Sequence, residues 1–120
     1  DRLRSRGLGD VYKRQLLEKY LKEHYTEDIS FGALAQKFGF TQEYLGKIFK
    51  KYSGETPSKY LIRLRMNEAK RLLQENKEIE IQKIGELVGY KDGFYFSRAF
   101  KSYTGVQPSE FRNQTLEYDS

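Results

Sequence analysis

The chain contains no cysteine, which excludes disulfides and thiolate metal sites and is in keeping with a cytoplasmic protein. Its single histidine, His24, is the only imidazole available to a Ser-His pair, and its helical neighbours suggest packing or surface. There is no glycine-rich phosphate loop, no metal-ligand spacing and no distinct pair of carboxylates. No apolar run approaches the roughly 20 residues that cross a bilayer, and no secretory signal is seen. The expectation is a non-enzymatic protein with no cofactor, no metal and no membrane partner.

What the chain does have is enough apolar material for a core. Of 120 residues, 38% are hydrophobic and 15% aromatic, which suits one compact domain or two small lobes sharing a connection. The net charge of +5 is unevenly spread. Arg2, Arg4, Arg6, Lys13 and Arg14 crowd the first 14 residues, and the remaining 17 basic and 15 acidic residues net only +2. Global charge is therefore weak evidence for a polyanionic partner, and the placement of basic residues matters more.

The opening DRLRSRGLGDVYKRQ shows neither helical nor strand period. It reads either as a basic arm for a minor groove or as a linker or non-native leader, and residues 1–14 are set aside as disordered or non-native. Residues 114–120 read as a polar tail. Between them the apolar spacing is helical throughout. Leu16, Leu17, Tyr20 and Leu21 mark a first helix, and Ser30 caps a second that carries Leu34, Ala35 and Phe38 inward. Thr41 caps a third with Leu45, Ile48, Phe49 and Tyr52. Thr56-Pro57 opens a long fourth, running to about Asn76. The fifth carries Ile81, Ile84, Leu87 and Val88, and the sixth, capped by Asp92, carries Phe96, Ala99, Phe100 and Tyr103. Pro108-Ser109 starts a short seventh, PSEFRNQ. The fold class is all-α.

One phrase occurs twice: KIFKKYSGETP at residues 47–57 and RAFKSYTGVQP at 98–108. It belongs to a longer unit. Leu34-Ala35, Phe38 and Gly39 match Ile84-Gly85, Val88 and Gly89 at an offset of 50. From Tyr44 and Tyr95 onward the offset is 51, with one residue inserted at the second turn. In each copy a short helix ends at a glycine, a tight turn follows, and a capped second helix begins. That is a helix-turn-helix built twice. The small residue of the first helix (Ala35, Gly85) admits a close crossing, and the large one after the turn (Leu45, Phe96) locks it. A duplicated hairpin used only for packing is the alternative, but such arrays usually need three repeats.

The segments LAQKFGFTQEYLGKIFKKYSGETPSKYLIRLRMNEAKRLL and IQKIGELVGYKDGFYFSRAFKSYTGVQPSEFR resemble the DNA-binding domain of the AraC/XylS transcriptional regulators, over about residues 15–113. The resemblance implies seven helices arranged as two helix-turn-helix subdomains (about 30–52 and 81–103), joined by a long central helix (about 57–76) and bound to bacterial promoter DNA. RNA polymerase is a further partner to consider, and relatives typically carry an effector or dimerisation domain that this chain would lack. Two positions depart from the family pattern. Gly85 stands where Ala is usual, which suggests a slightly looser helix, and Phe94 stands where Ser is common.

A central helix of about 20 residues is about 30 Å long, near the roughly 34 Å that separates successive major-groove faces. The expected binding mode is two reader helices in successive major grooves of a non-palindromic site, with DNA bending at a cost of a few kcal/mol. In the first reader helix the outer face holds Gln42, Glu43, Gly46, Lys47 and Lys50. Gln42 either pairs with adenine or is solvated surface. Glu43 either accepts from cytosine N4 or supports the helix start, and Lys47 donates to guanine. Gly46 allows close backbone approach. In the second, Gly93, Phe94, Ser97, Arg98 and Lys101 face outward. Arg98 grips guanine O6 and N7 or clamps a phosphate, and Phe94 meets a thymine methyl or packs on the turn. Asp92 is the cap.

Lys50, Lys51, Lys59, Lys101 and Arg112 are phosphate candidates. Arg63, Arg65, Lys70 and Arg71 of the central helix face phosphate, polymerase or solvent, with an internal salt bridge to Asp92 or Glu68 favoured for Arg65. The rival reading is a helical protein-interaction module that docks a partner protein instead of DNA.

Overall fold

Helix boundaries follow from local capping chemistry. The computed structural model describes residues 8–119, and these form seven α-helices and no strand. They are α1 (Leu8–His24), α2 (Phe31–Phe38), α3 (Gln42–Ser53), α4 (Pro57–Glu75), α5 (Ile81–Leu87), α6 (Gly93–Thr104) and α7 (Pro108–Asp119). Ser30 accepts from the Ala33 amide at 3.2 Å and Thr41 from the Tyr44 amide at 3.1 Å. Thr56 accepts from the Lys59 amide at 3.2 Å, and Asp92 from the Phe94 amide at 2.9 Å. Each satisfies a donor that the first helical turn leaves without a partner. Between the paired helices, Gly39 and Gly89 take φ of 80° and 112°, a left-handed backbone that a side chain would disfavour.

The chain divides into two compact units, one ending at Ile62 and the other beginning at Arg63, with the boundary inside α4. In the first unit Leu17 and Leu21 of α1 are buried with Leu34 and Ala35 of α2 and with Leu45, Ile48 and Phe49 of α3. The Phe49 ring meets the buried Tyr60 ring at 5.3 Å between centroids. In the second unit Met66, Ala69 and Leu73 of α4 pack with Ile84, Val88, Phe96 and Phe100. Phe111 of α7 closes edge-on against Phe100 at 5.6 Å. Full burial of a phenylalanine such as Phe49 or Phe96 contributes about 1.5–3 kcal/mol relative to exposure.

The structure corrects several boundaries. Residues 8–14, set aside above as leader, form the first two turns of α1. The reason is that their inward residues are polar. Lys13 is buried, its ammonium 4.0 Å from the Phe40 ring centroid, and it donates to the Tyr44 hydroxyl at 3.2 Å. Tyr44 in turn donates to Asp10. Asp10 and Lys13 lie three residues apart on one helical face, where an apolar search does not look. The basic arm of residues 1–7 lies outside the described residues. At the other end α7 continues to Asp119, so backbone read as tail is helical. Tyr52, Leu87 and Tyr103 were expected to point inward, yet they are 37%, 43% and 42% exposed. Each lies at or near the end of its helix.

Gly85 lies directly against Phe96 of α6. A Cβ on Gly85 would lie 2.8 Å from both Cβ and Cγ of Phe96. The missing methyl is what lets the larger Phe96 lie where Leu45 lies beside Ala35 in the first repeat.

Candidate nucleic-acid interface

The buried stripe of α3, Leu45, Ile48 and Phe49, turns the opposite face outward. Gln42, Glu43, Lys47, Lys50 and Lys51 are all exposed, the last with its ammonium 5.3 Å from the Tyr52 ring centroid. Glu43 lies in the first turn, where a carboxylate also favours the helix dipole. Gly46 is half-buried and lines a cleft of about 200 Å³ with Leu17, Phe31, Gln42, Leu45, Thr56, Pro57 and Ser58. A Cβ there would meet nothing within 4 Å, so the backbone is open to close approach. Lys59, in the first turn of α4, is exposed.

In α6 the buried Phe96 and Phe100 leave Phe94, Arg98 and Lys101 exposed, with Ser97 half-buried beside them. Phe94 is 69% exposed, so it does not pack on the turn. The structure adds Tyr95, 54% exposed and unassigned above, whose ring lies 5.9 Å from the Arg98 guanidinium carbon. The signal was present in the sequence, because the apolar stripe of α6 is complete without Tyr95. Its counterpart in the repeat, Tyr44, is instead held by Asp10 and Lys13, and burial is the main cause that pushes its phenol up to about 12. Tyr90, buried beneath the second turn, is also raised by burial, against the opposing pull of Arg65.

Two expected contacts are redirected. Gly93 faces α5, since a Cβ on it would lie 2.5 Å from Cγ and 2.8 Å from Cβ of Gln82. The missing side chain permits that close crossing. Arg112 donates to the carbonyls of Asn76 and Ile79 at 3.2 and 2.7 Å. Asn76 lies just past α4, where carbonyls run out of helical donors and a cation is favoured, and Ile79 lies in the connection to α5.

Three basic residues further along α4 are also engaged. Arg71 donates to Glu68 and Glu75, and this pairing holds the Glu68 carboxyl below its ordinary range. Arg65 lies over the Tyr90 ring at 5.1 Å, and the Lys70 ammonium over the Tyr103 ring at 5.7 Å. The cations left facing outward on the reader helices are Lys47, Lys50, Lys51, Arg98 and Lys101. Lys47 and Arg98 occupy the same position of the two repeats.

Two capped hairpins, each ending in a helix with a buried stripe and an exposed basic face, define a double helix-turn-helix protein. Comparison with known proteins gives the family. The model of a helix-turn-helix domain family matches residues 34–114. The raffinose operon transcriptional regulatory protein RafR of Pediococcus pentosaceus is 37% identical over 97 residues, covering 81% of this chain and 35% of RafR. The C-terminal domain of AraT, a response regulator from Geobacillus stearothermophilus, superposes with a TM-score of 0.81 at 30% identity, covering 85% of this chain and 84% of that one. A transcriptional regulator from Chromobacterium violaceum, described as an AraC-type DNA-binding-domain protein, gives 0.74 at 30% identity over 91% and 96% of the two chains. The chain belongs to the AraC-type helix-turn-helix family of DNA-binding transcriptional regulators. It spans about a third of the length of the curated relatives it matches.

Proposed function

We propose that the chain reads a non-palindromic promoter site with α3 and α6 in successive major grooves. The observation that carries this reading is the repeated reader face. Lys47 and Arg98 are exposed at equivalent positions, each flanked by further exposed side chains that suit base edges or phosphate. On this reading Arg98 and Lys47 donate to guanine, Gln42 pairs with adenine, and Glu43 accepts from cytosine N4. Phe94 meets a thymine methyl, with Ser97 and the open backbone at Gly46 completing the base-facing set. Lys50, Lys51, Lys59 and Lys101 bind phosphate and fix register without carrying sequence information. The length of α4, 19 residues or about 28 Å, supports engagement of two grooves one duplex turn apart.

The relatives' names associate them with operon regulation, and we extend that to this chain as a bacterial, cytoplasmic regulator without enzymatic activity. A further domain for effector binding or dimerisation and a contact to RNA polymerase belong to the same proposal. Selection of duplexes from a random library tests it, followed by titration of the retained sequence at several salt concentrations. The expected result is a recovered consensus and a log-log salt slope of about −0.9 per neutralised phosphate. A salt-independent interaction, or no recovered sequence, would favour docking to a protein and sink the DNA reading.

A further inference from the structure

The two repeats exchange a glycine and a glutamine across the same helix crossing. In the first, α2 offers Gly32 and α3 begins with Gln42, whose Oε1 lies 3.4 Å from where a Cβ on Gly32 would be. In the second, the equivalent positions are Gln82 in α5 and Gly93 at the start of α6. There the Gln82 stem fills the space beside the reader helix, its Cγ, Cβ and Cα standing 2.5, 2.8 and 3.0 Å from the Cβ that Gly93 lacks. Either arrangement leaves room for one long side chain at the crossing, and in both that side chain is an exposed glutamine.

Packing alone does not call for this. An exposed crossing point is filled as well by any residue with a methylene stem, yet the same carboxamide recurs after its supplying helix has changed. Its neighbours across the crossing are the first turn of α6, with Phe94 and Tyr95 exposed and Arg98 one turn further on.

We propose that Gln82 is a DNA-contacting residue of the second repeat, delivered from α5, and that its carboxamide NH2 donates to a backbone phosphate at the edge of the groove that α6 enters. In a helix-turn-helix the first helix crosses the backbone while the second enters the groove, and glutamine is among the side chains that bond phosphate oxygens. A phosphate contact from Gln82 fixes the register of α6 where Gly93 has no side chain to do so. This inference rests on the DNA-reading function proposed above.

The test uses Gln82→Ala, Gly93→Gln and the exchanged pair Gln82→Gly with Gly93→Gln, each assayed for thermal stability and for affinity on the duplex selected by the parent chain. Gln82→Ala is expected to keep the parent's melting temperature within a few degrees and to lose about three- to tenfold in affinity, the worth of one hydrogen bond. The loss should be uniform across single-base variants of the site, because a phosphate contact carries no base preference. Gly93→Gln alone should destabilise the fold. The exchanged pair should restore stability, since it rebuilds the Gly32–Gln42 packing. Its affinity should stay at least about threefold below the parent's, because a glutamine at the start of α6 faces base edges as proposed for Gln42 and leaves the phosphate contact unmade.

Parental affinity in Gln82→Ala overturns the proposal and leaves the DNA reading intact, and so does a loss confined to one base position. Parental affinity together with restored stability in the exchanged pair also overturns it, because affinity would then follow the packing of the crossing alone and reduce Gln82 to a packing residue. If the parent chain itself selects no duplex, the DNA reading fails first and this inference falls with it.

Discussion

Gly85 backs directly onto Phe96, at a distance that leaves no room for a single methyl group between them: a Cβ would stand 2.8 Å from the Phe96 Cβ. The first repeat solves the same crossing with Ala35 and Leu45, both buried. Small and large residues have been traded across the interface, so each helix pair keeps its contact with a different division of volume.

Replacing Gly85 with Ala should therefore destabilise the second unit by about 1–3 kcal/mol through overpacking, even though Ala is the better helix former by roughly 1 kcal/mol. Adding Phe96→Leu should recover part of the loss by recreating the Ala35–Leu45 pairing. Urea unfolding of the single and double variants measures both, and a Gly85→Ala protein as stable as the parent would show that the crossing yields easily.

Tyr44→Phe should cost about 1–3 kcal/mol, because it removes the acceptor for the buried Lys13 ammonium and the donor to Asp10 together. Tyr95→Phe is the matched control. That phenol is exposed in the equivalent position, and its loss should stay within about 0.5 kcal/mol. Equal effects in the two variants would mean that the Asp10–Tyr44–Lys13 chain contributes nothing to the attachment of α1.

The same phenol predicts behaviour at high pH. Tyr44 is raised from 10.0 to about 12, so the folded state holds this proton more tightly than the unfolded chain. The associated stability is present in full below about pH 10 and is lost as pH climbs towards 12. Spectroscopic titration of tyrosinate should show a late-ionising group that Tyr44→Phe removes. If Tyr44→Phe leaves the late phase unchanged, the phase belongs elsewhere, with Tyr90 the next candidate because its phenol is raised in the same direction.

Arg112→Met should destabilise the second unit by about 1.5–3 kcal/mol, the range for hydrogen bonds from a charged donor, by leaving the Asn76 and Ile79 carbonyls without that donor. Under conditions where the variant is folded, its salt slope on DNA should match the parent's. A slope shallower by about 0.9 would return Arg112 to the set of phosphate ligands.

Much of this architecture is written locally. Ser30, Thr41, Thr56 and Asp92 announce helix starts by chemistry that acts within three residues, and Gly39 and Gly89 announce the turns between the paired helices. The AraC-type resemblance comes from the same positions, which is why fold class and family were legible. What escaped depends on distant partners. Nothing near Lys13 in sequence reveals the Phe40 and Tyr44 rings that receive it, so the true start of α1 is not legible locally. Arg112 looks like a free cation until the end of α4 arrives beside it, 36 residues away in sequence. Gly93 looks like open surface until Gln82 is seen across it. Tyr95 is the reverse case, legible from the helical stripe but overshadowed by its pairing with Tyr44 in the repeat.

The central claim is that two reader helices engage separate stretches of one duplex. Hydroxyl-radical footprinting on the selected site, with Lys47→Ala and Arg98→Ala compared with the parent, tests it most directly. Two protected windows about 10 base pairs apart are expected, with each substitution relaxing base preference in a different window at a cost of about 1–3 kcal/mol. A single window affected alike by both substitutions, or protection unchanged by either, would contradict the account.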